Sequence, residues 1–294
     1  MKKINFLFAL LLLCSFGACT ENQPATDAEN VIVVAHRADW RGAPENSIQA
    51  IENSISLGVD MVEIDLARTK DGELILLHDR TLNRTTTAKG SPSDYTLEEL
   101  QTKYFLRNGA GSATHHRIPT FKEAMMVCKD KVLVNVDKGY DYFDQVYQII
   151  VETGTLEQCV IKSSHPYDYI VEDSGDVLDK MHFIPVLYTN KEGAMEIYEG
   201  YRDNYNSYAY EIVFGEYDQT SRAIVEDIIS RGGKVWINTL WDYLCDGHHD
   251  DRAVELGEAD ESWGWVLDQT KATFIQTDRS KELIDYLRGR GLHK

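Results

Sequence analysis

Eight short β-branched runs separated by amphipathic stretches constrain the fold more than any other feature of the sequence. They cover residues 31–35, 61–65, 132–137, 160–163, 183–188, 209–214, 235–239 and 273–277. Each is apolar on both faces, the pattern of parallel strands buried under helices. Helical periodicity fills the intervals at 47–56, 120–129, 142–152, 167–178, 192–201, 221–231 and 280–288. Pro44 marks the approach to the first helix, with Asn46 the expected N-cap. Eight such alternations in 294 residues predict an α/β fold, a closed (β/α)8 barrel of the TIM type. An open doubly wound sheet is the alternative. No repeat or linker divides residues 31–294, which read as one domain.

Residues 80–119 depart from the alternation: they are polar, rich in Thr, Gly and Ser, and too long for a plain connection. They predict a small insertion after a hairpin on the second strand, with a helix at 96–103, forming a lid beside the site. Residues 242–269, after the seventh run, are a second such segment. The N-terminus has the form of a targeting signal. Lys2 and Lys3 precede an apolar run at 6–13 that is too short to span a bilayer. Phe16-Gly17-Ala18-Cys19 resembles a bacterial lipoprotein signal, which implies removal of 1–18, lipidation of Cys19 and a flexible tether over 19–30. The expectation is an exported lipoprotein, anchored to a membrane of the bacterial envelope. Ordinary cleavage near Ala18, giving a periplasmic or secreted protein, is the alternative. Cys128, Cys159 and Cys245 are an odd number at no metal-ligand spacing, and Cys128 and Cys159, in apolar surroundings, read as buried thiols. A formal charge of −18 argues against nucleic acid as a partner, and no protein partner is implied.

The chemistry concentrates in residues 31–90, which carry His36, Arg37, Glu63, Asp65 and His78. Asp71-Gly72 is a two-residue hairpin signal. With those two residues as the loop, Lys70 faces Glu73 and the register sets Asp65 opposite His78, on the face that Glu63 shares. The bland alternative is a surface hairpin with a cross-strand Asp–His pair. In a (β/α)8 barrel the reactive groups lie at the carboxyl ends of the strands. The sequence puts polar residues there repeatedly: His36-Arg37, Glu63 and Asp65, Asp137-Lys138, Ser163-Ser164, Asn238 with Trp241, and Thr277-Asp278. Glu63, Asp65 and Asp137 would form an all-oxygen seat for one divalent cation, Mg²⁺ or Ca²⁺. Two histidines, His36 and His78, suit acid/base transfer in a displacement at phosphorus, and Arg37 offers a planar fork for a phosphate oxygen. Glycoside cleavage would need a carboxylate pair and no metal.

These residues stand in an order that resembles the glycerophosphodiester phosphodiesterases. The shared series is His36-Arg37, Pro44-Glu45-Asn46, Glu63-x-Asp65, Thr69-Lys70-Asp71-Gly72, His78-Asp79, Arg84-Thr85-Thr86, Ile118-Pro119-Thr120 and Thr277-Asp278. The resemblance implies hydrolysis of a glycerophosphodiester to glycerol 3-phosphate and an alcohol. It makes His36 and His78 the acid/base pair, Arg37 a phosphate ligand, and Glu63 and Asp65 metal ligands. Two departures bear on the substrate more than on the reaction. The family's third strand ends in glutamate with lysine two residues on, whereas this chain has adjacent Asp137-Lys138. Asp137 is the expected third ligand and Lys138 a candidate phosphate contact. Ala38 replaces the glycine that usually follows His-Arg.

Other features carry weaker expectations. Trp241 either walls the substrate pocket or packs against the next helix. Arg84 buttresses the hairpin, His248-His249-Asp250-Asp251 is a solvated loop rather than a second metal site, and His115-His116 is surface. One rival is a phospholipase C- or D-like enzyme, which predicts an apolar rim on the insertion, where Tyr104-Phe105-Leu106 is the candidate patch. The other is a catalytically inactive surface binding lipoprotein.

Overall fold

The computed structural model describes residues 30–205 and 207–294. The proposed signal, the lipidation residue Cys19 and all but the last residue of the tether lie outside them. The strands, in chain order, are β1 (Ile32–Ala35), β2 (Met61–Arg68), β3 (Leu74–Leu76), β4 (Leu133–Asp137) and β5 (Cys159–Ser163). They continue with β6 (His182–Tyr188), β7 (Ala209–Val213), β8 (Lys234–Asn238) and β9 (Phe274–Thr277). Eight of them pair in parallel in the order β1-β2-β4-β5-β6-β7-β8-β9, and β9 pairs back to β1. The sheet is therefore a closed barrel, not the open alternative. All eight expected runs are barrel strands.

Apolar residues alternate with the barrel wall. Val62, Ile64, Val134, Val136 and Ile161 point outward and pack beneath helix residues such as Ile51, Phe121, Met125 and Ile150. Met61, Val160, Ile184, Ala209, Trp236 and Phe274 fill the amino-terminal half of the interior. There the Trp236 and Phe274 rings stack at 5.2 Å. The apolar plug stops halfway up. Above it the inward positions carry Glu63, Asp65, Asn135, Asp137, Lys162 and Glu211, all largely buried, so the polar groups gather at the carboxyl end of the barrel.

Two local expectations are corrected. The first helix, Ile48–Leu57, is capped by Ser47, whose hydroxyl accepts from the Ala50 N–H at 3.0 Å. Asn46 stands one residue earlier in left-handed backbone (φ 56°) and bonds Asp65 instead. The hairpin loop has three residues rather than two: Gly72 alone is left-handed (φ 90°), and the Thr69 N–H donates to the Glu73 carbonyl. The Thr69 hydroxyl tightens this loop by accepting from the Glu73 N–H and donating to Asp71 at 2.6 Å. The ladder then pairs Leu66 with Leu76 and Arg68 with Leu74, one residue off the expected register. Such a slip would turn His78 to the other face if the ladder continued. It ends at Leu76; the Leu77 N–H donates to the Asp65 carbonyl, and the irregular chain beyond brings His78 Nε2 to 4.0 Å from Asp65 Oδ1.

The insertion has its own small core, in which Ala67, Ile75, Leu77, Leu82, Leu100, Leu106 and Ile118 pack together. Its helix, Leu97–Lys103, starts at Thr96 with a reciprocal Thr96–Glu99 capping box. Leu100 is fully buried there. Leu100→Ala is expected to lower stability by about 3 kcal/mol, read as a shifted denaturant midpoint at unchanged slope. A loss under about 1 kcal/mol would show that this core is not cooperative with the barrel.

Candidate active site

His36, Arg37, Asp137 and Lys138 owe their positions to strand ends. β1 finishes at Ala35, and His36 and Arg37 follow; Arg37 (φ 52°) and Ala38 (φ 59°) turn the backbone through the left-handed region. That geometry accounts for the glycine usual at Ala38, since a Cβ there costs roughly 1–2 kcal/mol. The turn lets the Arg37 N–H donate to Glu63 Oε2 at 2.6 Å. It also lets the Ala38 N–H donate to the Glu63 carbonyl. On β4 the strand stops at Asp137, and Lys138 takes a left-handed conformation (φ 59°). Adjacent Asp137 and Lys138 thus both reach the barrel mouth, which a continuing strand would forbid.

The carboxylates Glu63, Asp65 and Asp137 offer oxygens within 4.8 Å of one another. Among the described residues they are the one cluster of this kind. Burial raises the Glu63 carboxyl well above its ordinary value, and the Asp65 and Asp137 charges push it further. Burial, followed by Asp65, also raises Asp137. Burial pushes Asp65 upward too, but Lys138, His78, Arg37 and the Asn46 amide together outweigh it and hold Asp65 low. Asn46 makes this a two-point grip: its Nδ2 donates to Asp65 Oδ2 at 2.8 Å and its Oδ1 accepts from the Asp65 N–H. An all-oxygen, mutually repelling set held rigidly in this way fits a hard divalent cation, Mg²⁺ or Ca²⁺. The donor set discriminates poorly between the two.

Both histidines are oriented by a carboxylate on Nδ1. His36 bonds Asp278 at 2.7 Å, and His78 bonds Asp79 at 2.8 Å. With an acceptor on Nδ1, each neutral ring carries its proton there and presents Nε2 as the basic nitrogen. His78 Nε2 lies 4.0 Å from Asp65 Oδ1. Behind these pairs stand further supports. Trp40 Nε1 also donates to Asp278, at 2.6 Å. Arg84 forks onto Asp79 and Glu45, and Glu45 in turn accepts from Arg37 at 3.1 Å. The bond from Arg84 holds the Asp79 carboxyl far below its usual range. Arg84 therefore buttresses the hairpin, as expected, and ties His78 mechanically to Arg37.

An open cavity of about 460 Å³ joins these groups. His36, Arg37, Glu63, Asp65, His78 and Asp137 line one side; Trp241 lines the other and meets the His36 ring edge-on at 5.6 Å. Arg37 lines this space, and its Nε makes no hydrogen bond, lying 3.8 Å from Asp65 Oδ2. Lys138 does not line the cavity; its ammonium bonds Asp65 Oδ1 at 3.1 Å and the His78 carbonyl. The His248–Asp251 run is not a solvated loop throughout. Asp250 is buried and accepts from Thr239 Oγ1, Trp263 Nε1 and the Asp278 N–H at 2.6–2.8 Å, while burial raises its carboxyl to about 7. His248 stacks on Trp265 at 3.7 Å. No second metal cluster forms there among the described residues.

Sequence reasoning named Glu45, Asp79, Asp250 and Asp278 without giving them a role at the site, and it missed the buried Lys162–Glu211 ion pair on the cavity floor. For Asp79 the signal was adjacency to His78. For Lys162 it was a lysine inside an otherwise apolar strand.

Residues 36–160 match a family model described as the glycerophosphoryl diester phosphodiesterase family, and residues 183–287 match one described as a domain of unknown function. A glycerophosphodiester phosphodiesterase of Caldanaerobacter subterraneus is 34% identical over 47% of this chain and 54% of its own length. The human glycerophosphodiester phosphodiesterase 1 is 30% identical over 53% of each chain. The chain thus spans about half the length of the curated relatives it matches. Its structure is similar to a glycerophosphoryl diester phosphodiesterase from Parabacteroides distasonis, with a TM-score of 0.74 at 25% identity, covering 90% of this chain and 89% of that one. It also shares its fold with an Oleispira antarctica phosphodiesterase solved with the product sn-glycerol-3-phosphate, at TM-score 0.63 and 19% identity over 88% and 97% of the two chains.

Proposed function

Because the chain belongs to the glycerophosphodiester phosphodiesterase family, we propose that it hydrolyses glycerophosphodiesters to glycerol 3-phosphate and an alcohol, with one divalent cation bound. The observation that carries this reading is a single cavity containing two carboxylate-oriented imidazoles, a three-carboxylate seat and an arginine whose Nε makes no hydrogen bond. Glu63, Asp65 and Asp137 would hold Mg²⁺ or Ca²⁺, which supplies positive charge to the phosphoryl oxygens. The Arg37 guanidinium, which lines the cavity, donates to a phosphate oxygen. One histidine takes the proton of the attacking oxygen, whether a glycerol hydroxyl or water, and the other returns a proton to the leaving alcohol. Asp278 and Asp79 hold the two rings in the tautomer this exchange needs.

The insertion supports a soluble diester over an intact phospholipid. Leu106 is buried, Tyr104 packs into the insertion core, and Arg117 covers the Phe105 ring at 3.8 Å. The candidate apolar rim is folded inward. Incubation of the mature protein with a panel of glycerophosphodiesters, with Mg²⁺, with Ca²⁺ and with a chelator, should release glycerol 3-phosphate in the presence of a cation only. Release from no diester with either metal would overturn the enzyme reading and favour a binding lipoprotein. The same reading includes export and lipidation at Cys19, supported by Lys2, Lys3 and the Gly17-Ala18-Cys19 signal. Labelled fatty acid should enter the wild type and not Cys19→Ala; equal labelling would refute the anchor.

A further inference from the structure

The cavity has two chemically different walls. The reacting groups occupy one, on or just after β1, β2, β3 and β4. The other, from the ends of β5–β9, carries Lys162, Tyr188, Lys191, Glu211, Trp241 and Tyr243. Glu211 is the one carboxylate on that wall, and it is already satisfied. Lys162 pairs with it, both side chains 7% exposed, and Asn238 Nδ2 donates to it at 2.8 Å. Lys162 also rests over the Trp236 ring at 4.5 Å.

Lys191 covers the face of Tyr188 with its ammonium 4.2 Å from the ring centroid, and it forms no ion pair among the described residues. A cationic group approaching this wall therefore meets an ammonium already seated on Tyr188 and finds no free carboxylate. Like charges brought together across an interface exclude a ligand more strongly than neutral contacts attract one. The remaining features suit hydroxyls. The Trp241 and Tyr243 rings stack nearly parallel with centroids 6.0 Å apart and supply exposed aromatic surface for the C–H face of a polyol, and Trp241 abuts His36. Gln276 lines the cavity, is 5% exposed, and its Oε1 has no donor. A buried orphan acceptor is costly and calls for an O–H.

We infer that this wall is the subsite for the leaving alcohol and that it selects a neutral, hydroxyl-rich group over an ammonium-bearing one. The inference rests on the phosphodiesterase reading and specifies its substrate class. A diester whose alcohol is a polyol places its ring or chain on Trp241 and Tyr243, next to His36, one of the two histidines of the proton exchange. A choline or ethanolamine diester brings a cation toward Lys191 instead.

The test compares kcat/KM for glycerophosphoinositol and glycerophosphoglycerol with that for glycerophosphocholine and glycerophosphoethanolamine, at low and high salt, on the wild type and Lys191→Glu. The polyol diesters are expected to lead by about tenfold or more. That lead should shrink at high ionic strength and shrink or reverse in Lys191→Glu, through a rise for the ammonium diesters. Equal turnover of all four, or a lead for the ammonium pair, overturns the subsite while leaving the phosphodiesterase reading intact. A lead that Lys191→Glu and salt leave untouched also overturns it. Turnover of none of the four overturns the phosphodiesterase reading. Selectivity is then read from calorimetric binding of the same diesters, and equal affinities would refute it.

Discussion

His36→Ala is expected to lower kcat about a hundredfold to ten-thousandfold, the range spanned by loss of a positioned general acid or base. The fold should survive, because the Asp278 carboxylate that loses His36 keeps its bond from Trp40 at 2.6 Å. Asp278 also stays anchored by its N–H to Asp250. His78→Ala should fall in the same range. It disturbs less structure: its imidazole is 38% exposed, and the Arg84 fork still holds Asp79 in place. Each histidine carries half of one proton exchange, so the double variant should be little slower than the slower single one. Steady-state release of glycerol 3-phosphate, beside thermal melting, reads all three. A single variant within about threefold of the wild type, equally stable, would remove that histidine from the chemistry.

The parts of this arrangement legible in the sequence are those with a local signature. β-Branched runs bounded by turn residues gave every barrel strand, and closure followed from their number. His36 and Asp137 were legible because β1 and β4 end beside or at them, and Glu63 and Asp65 because they stand as alternate polar residues in the otherwise apolar run of β2. The misreadings were of single residues. Asn46 and Ser47 are both good caps, and a one-sequence argument has no means of seeing that Asp65 claims Asn46 from a distance of 19 positions. The hairpin slipped by one because the Thr69 hydroxyl stabilises a three-residue loop where Asp71-Gly72 advertises two. Even so, Asp65 and His78 come together, since the chain leaves the ladder before the slip could matter. The supports were illegible for a plainer reason: Asp278 meets His36 across 242 residues, and Lys162 meets Glu211 across 49. Contacts of that separation depend on barrel closure, which sets strand neighbours but not side-chain partners.

Removal of the cation should have an effect comparable to removal of a histidine. Chelation, or Asp65→Asn, is expected to lower kcat/KM by roughly a thousandfold, the several kcal/mol that a bound ion contributes to a charged transition state. Asp65→Asn removes the ligand whose carboxyl its neighbours hold low, leaving Lys138, Arg37 and His78 facing a neutral amide. Excess Mg²⁺ or Ca²⁺ should restore the chelated wild type fully and the variant only in part. The sign of the pH dependence follows from the site's own repulsion. Glu63 and Asp137 have raised carboxyls in the cation-free fold. That fold therefore binds more protons than the unfolded chain, and these two groups make it less stable as pH rises from the ordinary carboxyl range through their raised values. Asp65, held low, contributes with the opposite sign. A cation cancels the repulsion where it is greatest, so its increment in Tm should be largest near neutral pH and fade on acidification, as protons displace the metal. Full activity in the presence of a chelator, or a Tm indifferent to Mg²⁺ and Ca²⁺ at neutral pH, would leave Glu63, Asp65 and Asp137 without their proposed occupant.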